Sequence, residues 1–192
     1  MLEYRRAKGS DFDQIVELQN KNLLSQLKTE ERGDGFLSTA FTRSQFEEMN
    51  KSLCVVVAME ENQVLGYACA SQVEFHTSPL WRAMVSTCSQ ITYREKPVLS
   101  YQFFLGSPIC IDKQSRGKGI FQGLCQKILD IIPPKYDISL AFISVENKRN
   151  MIATRRVGFE TVGQFEFESK VYDVMLLWLC STDAVDQSKK QS

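Results

Sequence analysis

The residues with the most chemical potential lie in one run: Ile109-Cys110-Ile111-Asp112-Lys113-Gln114-Ser115-Arg116-Gly117-Lys118-Gly119-Ile120-Phe121-Gln122-Gly123. A short apolar strand ends near Ile111 and a polar loop follows. Apolar residues at 120, 121, 124, 128, 131 and 132 then keep helical spacing until Pro133-Pro134. Gly117 and Gly119 leave backbone N–H groups uncovered where that helix begins. Free N–H donors at the positive end of a helix dipole bind phosphate oxygens, and Arg116 and Lys118 add charge of the matching sign. The pattern is that of a pyrophosphate cradle for a nucleotide-bearing cofactor.

Two other phosphate motifs fit less well. Gly117, Gly119 and Gly123 read G-x-G-x-x-x-G, one residue too long for the dinucleotide fingerprint, and they follow antiparallel strands instead of opening a βαβ unit. Glu146, at the end of the next strand, would have to serve as the ribose-binding acid. A P-loop is excluded, because no G-x-x-x-x-G-K-[ST] occurs. The single histidine, His76, and the lack of any paired cysteine spacing argue against a metal site. A nucleophile–histidine–acid triad would need His76, and no nucleophile elbow accompanies it.

The elements around this loop follow from periodicity and punctuation. Residues 2–7 read as a strand, and Ser10-Asp11-Phe12-Asp13 as the capped start of one or two helices reaching about residue 28. Residues 30–35 are loop by composition, and Thr42-Arg43-Ser44-Gln45 is a capping box before a short helix. Residues 53–59 and 64–73 form an antiparallel hairpin across Glu60-Glu61-Asn62. Ser78-Pro79 opens a helix bearing Leu80, Trp81, Met84, Val85 and Cys88, and 90–100 is polar loop or short strand. Residues 101–111 form an extended stretch interrupted by Gly106 and Pro108, where a strand should bulge or leave its neighbour. After the helix over 117–132 come a buried strand at 138–145, a helix at 148–157 closed by Gly158, and a hairpin over 160–179 turning near Ser169-Lys170. The layout is mixed α/β (α+β), centred on the strand–loop–helix–strand unit of 101–145, with a single parallel pair flanked by antiparallel strands.

A chain of 192 residues suits one domain, taken here as 1–180, and the polar tail 181–192 is expected to be disordered. Lys plus Arg equals Asp plus Glu at 23 each, so no global field selects nucleic acid or an anionic membrane as partner. The six cysteines sit mostly inside apolar runs, the pattern of reduced, buried thiols. No signal-peptide core or membrane-length apolar run occurs, so the expected setting is soluble and cytoplasmic.

Gln114-Ser115-Arg116-Gly117-Lys118-Gly119 resembles the Q/R-x-x-G-x-G/A loop of the GNAT superfamily of acyl-CoA-dependent N-acyltransferases. Ile109-Cys110-Ile111 matches the apolar strand end before that loop, Asn147 and Gly158-Phe159 resemble the second motif, and the element order over 2–179 agrees. The resemblance implies a GNAT fold, a central mixed sheet with splayed parallel strands flanked by helices. It also implies acetyl-CoA (or CoA) lying in the opening like an extra strand, with no metal. Cys110 and Ile111 would then bond the pantetheine amides, the N–H groups from Arg116 through Gly117, Lys118, Gly119 and Ile120 to Phe121 would hold the pyrophosphate, and Asn147 would touch the cofactor. An N–H near Ile109 would polarise the thioester carbonyl.

The same resemblance places Thr154 where many relatives carry a proton-donating tyrosine, and threonine is a much weaker acid. The inner strand positions Phe103 and Leu105 are apolar, so the candidate bases are Glu74, His76 and Tyr101 at the acceptor mouth. Residues 29–46 and 74–100 would build the acceptor side, with Trp81, Tyr93 and Phe75 as an aromatic wall. The implied activity is acetyl transfer by a ternary complex to an amine of a small molecule, protein or peptide, with homodimerisation left open. The alternative is a CoA-binding sensor or scaffold with little or no turnover.

Overall fold

The computed structural model describes residues 1–27, 30 and 35–179. Residues 31–34 of the expected loop, part of the acceptor side read at 29–46, Cys180 and the tail 181–192 lie outside the described residues. In chain order the elements are β1 (Glu3–Arg6), α1 (Phe12–Lys21), α2 (Arg43–Ser52), β2 (Cys54–Glu60), β3 (Gln63–Ala70), α3 (Pro79–Cys88), β4 (Thr92–Tyr93), β5 (Lys96–Pro97), β6 (Phe103–Leu105), β7 (Ile109–Ile111), α4 (Ile120–Ile131), β8 (Ile138–Ser144), α5 (Lys148–Arg156), β9 (Glu160–Phe167) and β10 (Lys170–Trp178).

The strands form two main sheets, ordered β1-β2-β3-β7 and β6-β8-β10-β9. Between these named strands the pairings are antiparallel except that of β6 with β8. β2 is apolar at nearly every position because both its faces are covered. Val55, Val57 and Met59 join Ile15, Phe46 and Tyr67 beneath α1 and α2. Cys54, Val56 and Ala58 meet Ile120, Leu124 and Ile128 of α4. In the second sheet, Leu140, Val174 and Leu176 pack with Trp81 and Met84 of α3, while Ala141, Ile143 and Met175 pack with Met151 of α5.

Local chemistry sets the boundaries. The Thr42/Gln45 capping box forms in both directions, and Ser78 with Pro79 opens α3. Asp11, rather than Ser10, anchors the first helix. Its buried carboxylate accepts from the Lys8 N–H at 2.7 Å and from Arg5 of β1 at 2.6 Å. The β2–β3 turn uses positive φ at Glu61 and Asn62, which suits a hairpin twist. The last hairpin turns at Glu168-Ser169, one residue earlier than the sequence suggests. Among the described residues no helix is long and apolar enough to cross a membrane.

Gly123 explains how α4 sits so close to the sheet. A Cβ there would overlap the Tyr4 ring of β1, so the third glycine of the motif is a packing residue. Gly123→Ala should destabilise the chain by about 1–3 kcal/mol through overpacking, despite its better helix propensity. Urea unfolding measures this, and shortening Tyr4 in the same chain should restore part of the loss.

Candidate functional site

The extended stretch 101–111 is not one strand but two, in different sheets. β6 runs parallel to β8 from Phe103↔Ile138 to Leu105↔Leu140, and the Gly106 N–H makes the last bond, to the Leu140 carbonyl at 2.9 Å. Pro108 follows a cis Ser107-Pro108 bond and has no N–H to extend the ladder. The chain then crosses to β3, where the Cys69 N–H donates to the Pro108 carbonyl at 2.9 Å and the Asp112 N–H to the Leu65 carbonyl at 2.8 Å. Reciprocal bonds between Ser71 and Leu105, 3.0 and 2.8 Å, hold the two sheets together at the base of this fork. Gly106 permits the approach, since a Cβ there would lie 2.7 Å from the Ser139 hydroxyl.

Hydrogen-bonded pairs alternate along an antiparallel ladder. With Leu65/Asp112 and Cys69/Pro108 bonded, Tyr67/Cys110 is the bonded pair between them. The Cys110 backbone therefore serves β3, and the backbone groups facing the opening belong to Ile109 and Ile111. This corrects the pantetheine contact expected from Cys110. On β8, the Leu140 carbonyl is used by Gly106 and the Val145 N–H by Val171, so the groups of Phe142 and the N–H of Ser144 face the opening, while the Ser144 carbonyl accepts from the Asn147 N–H at 2.8 Å.

The opening widens into a cleft of about 280 Å³. Its floor is β7, and one rim is the loop and first turn of α4, with Ser115, Arg116, Gly117, Gly119, Ile120, Phe121 and Gln122. The other rim is α5, with Arg149, Asn150, Ile152, Ala153 and Arg156. Gly117 and Gly119 have φ of +82° and +79°, and a Cβ on Gly119 would meet nothing within 4 Å. Glycine is required there by conformation, and the space beside it is open to a ligand. Gly119 caps α4 through its carbonyl, which accepts from the Gly123 N–H at 3.1 Å. The N–H groups of Ile120, Phe121 and Gln122 form the unpaired first turn at the cleft.

Arg116 turns inward. It donates to the Ile111 carbonyl at 3.1 Å and to Asn22 at 2.6 Å, tying the loop to its strand and to the end of α1. Its own N–H reaches the Lys113 carbonyl at 3.5 Å. Lys118 is exposed and lies outside the cleft lining. Asn147 caps α5, accepting from the Asn150 N–H at 3.3 Å and donating to the Phe36 carbonyl at 3.0 Å. Its amide is spent on structure, so the direct cofactor contact expected of it is not formed by this arrangement.

A second cavity of about 50 Å³ adjoins the cleft, sharing Phe36, Leu37, Ile109 and Asn150 with it. Trp81, Phe41, Phe142, Ser107 and Ser144 are among its other walls. None of the expected acid–base residues lines either cavity. Glu74 is exposed on a short 3-10 turn. Tyr101 is buried and donates to the Tyr93 carbonyl at 2.8 Å. Thr154 is buried on the core face of α5, its hydroxyl 3.2 Å from the Asn150 amide oxygen. His76 lies behind Trp81 and Phe41, with ring centroids 3.9 and 5.4 Å away, and shares a 2.6 Å hydrogen bond with Ser71.

Of the expected aromatic wall only Trp81 reaches a cavity. Tyr93 packs toward Trp178 and Phe75 against the core beneath α1. Buried thiols are poor nucleophiles here, since desolvation pushes Cys110 and Cys125 up to about 12 and Cys54 and Cys88 up to about 11. The α5 residues at the cleft were missed from sequence. Their signal was helical phase: positions 149, 152, 153 and 156 share the face opposite the buried Met151 and Thr154.

No protein-family model matches the chain, and no curated protein matches it. Its fold is nevertheless that of GNAT acetyltransferases of known structure. An N-acetyltransferase from Staphylococcus aureus Mu50 superposes with a TM-score of 0.63 at 19% identity, covering 94% of this chain and 99% of that one. A GNAT-family acetyltransferase from Streptococcus pneumoniae gives 0.61 at 14% identity, covering 94% and 100%. A GNAT-superfamily phosphinothricin acetyltransferase from Sinorhizobium meliloti, solved in complex with acetyl-CoA, gives 0.60 at 19% identity, covering 93% and 88%. The chain thus has the GNAT fold over nearly its whole length.

His76 makes the site's support pH-sensitive. Burial pushes its pKa from 6.5 down to about 4, so the folded ring stays neutral where the unfolded chain takes up a proton. The stability this confers is complete above 6.5 and is lost as pH falls toward 4. By about pH 5 the loss is about 2 kcal/mol. Urea unfolding at about pH 7.5 and about pH 5 should show wild type losing that much more than His76→Phe. Parallel losses in both would contradict the assignment.

Proposed function

We propose that this chain is an N-acetyltransferase that moves an acetyl group from acetyl-CoA directly to a primary amine. The observation that carries the reading is the alignment of the strand fork with the glycine cradle along one cleft. The backbone groups of Ile109 and the N–H of Ile111 suit the amides of an extended pantetheine arm, as a neighbouring strand would. The N–H groups at the start of α4 suit a pyrophosphate, and Arg149 and Arg156 add positive charge on the α5 rim. The acetyl-CoA bound by the Sinorhizobium meliloti protein of the same fold supports the same ligand here.

In the reaction the amine lone pair attacks the thioester carbonyl carbon. Negative charge gathers on the carbonyl oxygen, and this reading gives the Ile109 N–H, which faces away from β3, the role of its donor. The carbon–sulfur bond then breaks, the thiolate leaves, and the nitrogen gives its extra proton to water. A covalent enzyme intermediate is unnecessary, in keeping with the high pKa of Cys110. Asn150 lines both cavities and accepts from the Thr154 hydroxyl, and in this reading its amide N–H donates to the departing sulfur.

A thiolate is a fair leaving group at neutral pH, which is why a site lacking the tyrosine can still turn over. The absence of a carboxylate or phenol among the described cavity residues also suits the second reading, a CoA-binding domain without turnover. Acetyl-CoA titration followed by thiol release against an amine panel separates the two, since binding without release on any amine would favour the second.

Gly119→Glu places a carboxylate in the open space at the cradle. It should weaken acetyl-CoA binding by about 100-fold or more, roughly the cost of replacing an attraction by a repulsion at a desolvated phosphate. Thermal melting should show a modest loss, about 1–2 kcal/mol for a side chain held at a φ of +79°, although that Cβ meets nothing. Retained affinity in calorimetry would contradict the cradle. Because Thr154 faces the core and lines neither cavity, Thr154→Tyr should destabilise the fold and leave turnover unraised.

A further inference from the structure

The α5 rim of the donor cleft alternates in character. Arg149 and Arg156 both line it, and between them stand Ile152 and Ala153. The two arginines are two helical turns apart on one face, ~10 Å along the axis. Arg149 lies at the cradle, its Nη2 4.0 Å from the place a Cβ on Gly117 would take. Ile152 is 53% exposed, and core packing does not account for it, since Met151 and Thr154 are the buried residues of α5. The last two arginines of the helix also differ in use. Arg155 turns to the sheet, donating to the Thr161 hydroxyl at 3.1 Å and lying 3.6 Å from Asp173. Arg156 is exposed at the cleft, and no hydrogen bond or ion pair joins its guanidinium to another described residue.

The nucleotide end of CoA presents a matching set of groups. It carries a diphosphate, a ribose with its adenine, and a second phosphate on the ribose 3′-oxygen, one sugar away from the first. We propose that Arg156 binds this 3′-phosphate, so that the protein selects acetyl-CoA over its 3′-dephospho form. The proposal rests on the transferase reading, which puts the diphosphate on the first turn of α4. With that end fixed beside Arg149, Ile152 and Ala153 offer an apolar surface to the sugar and base. The monoester phosphate then falls to the next cation along the rim. Such a group carries about −1.5 to −2 charge at pH 7, and a guanidinium fork takes two of its oxygens at once. Arg156 also stands in the last turn of α5, where a cation suits the helix dipole. That role alone would bind a cofactor lacking the 3′-phosphate as well as one that carries it.

Titration calorimetry at low ionic strength compares acetyl-CoA with 3′-dephospho-acetyl-CoA on wild type and on Arg156→Gln. Glutamine removes the charge with little change in helix propensity. Wild type is expected to bind acetyl-CoA about fivefold to tenfold more tightly, the range for a charge-assisted contact at an exposed rim. In Arg156→Gln that ratio should fall to about twofold or less, through weaker binding of acetyl-CoA and nearly unchanged binding of the 3′-dephospho form. Wild-type affinities for the two ligands within about twofold of each other overturn the selection and leave the transferase reading standing. An undiminished ratio in Arg156→Gln overturns the role given to that residue. No binding of either ligand overturns the proposal and the transferase reading together.

Discussion

After Gly106 the chain has to choose between two neighbours. Up to that residue it bonds β8, and from Pro108 onward it bonds β3. Strands pair only at about 4.8 Å, so once the sheets diverge one backbone cannot serve both. The missing N–H of Pro108 and the absent side chain of Gly106 put the change of partner at one place. Everything proposed for the site depends on this. The wedge between β7 and β8 has polar backbone on both walls, and buried backbone groups need partners. A ligand with amides spaced along a chain can supply them, and α4 starts where its phosphates would emerge.

This arrangement locates the chemistry in backbone and enclosure. The four side chains offered by sequence as acids or bases are each occupied elsewhere or remote. Glu74 is in solvent, His76 is locked to Ser71 behind Trp81, Tyr101 braces the β4–β5 hairpin, and Thr154 holds Asn150. Acyl transfer from a thioester asks little of a protein beyond placement, an oxyanion donor and a dry site that favours the free amine. Cys110 illustrates the same division, because its side chain packs beneath α1 while its strand neighbours present the donors.

Much of the frame was legible because it is locally encoded. The Thr42/Gln45 box, Pro79, the Gly158 stop and the two-sided burial of β2 are short-range signals, and they gave the elements within a residue or two. The cradle was legible for the same reason, since Gly117 and Gly119 announce positive φ. Side-chain roles at the site were less so. Whether Asn147 faces a ligand or caps a helix depends on Phe36, and whether Arg116 meets phosphate or braces a loop depends on Asn22; both partners are remote in sequence. Which of Ile109, Cys110 and Ile111 faces the opening is a matter of register, and a shift of one residue exchanges the answer. Trp81 was picked out as an aromatic, but its unpaired N–H exists only once α3 is packed on the second sheet.

The central claim is that the fork between β7 and β8 holds an extended acyl-CoA. A crystal structure of the protein grown with saturating CoA tests it directly. The account predicts pantetheine density along β7 in the wedge, its amides within hydrogen-bond distance of the Ile109 or Ile111 backbone, and the pyrophosphate on the N–H groups at the start of α4. Density for CoA elsewhere on the molecule, or an empty wedge at saturation, would contradict it.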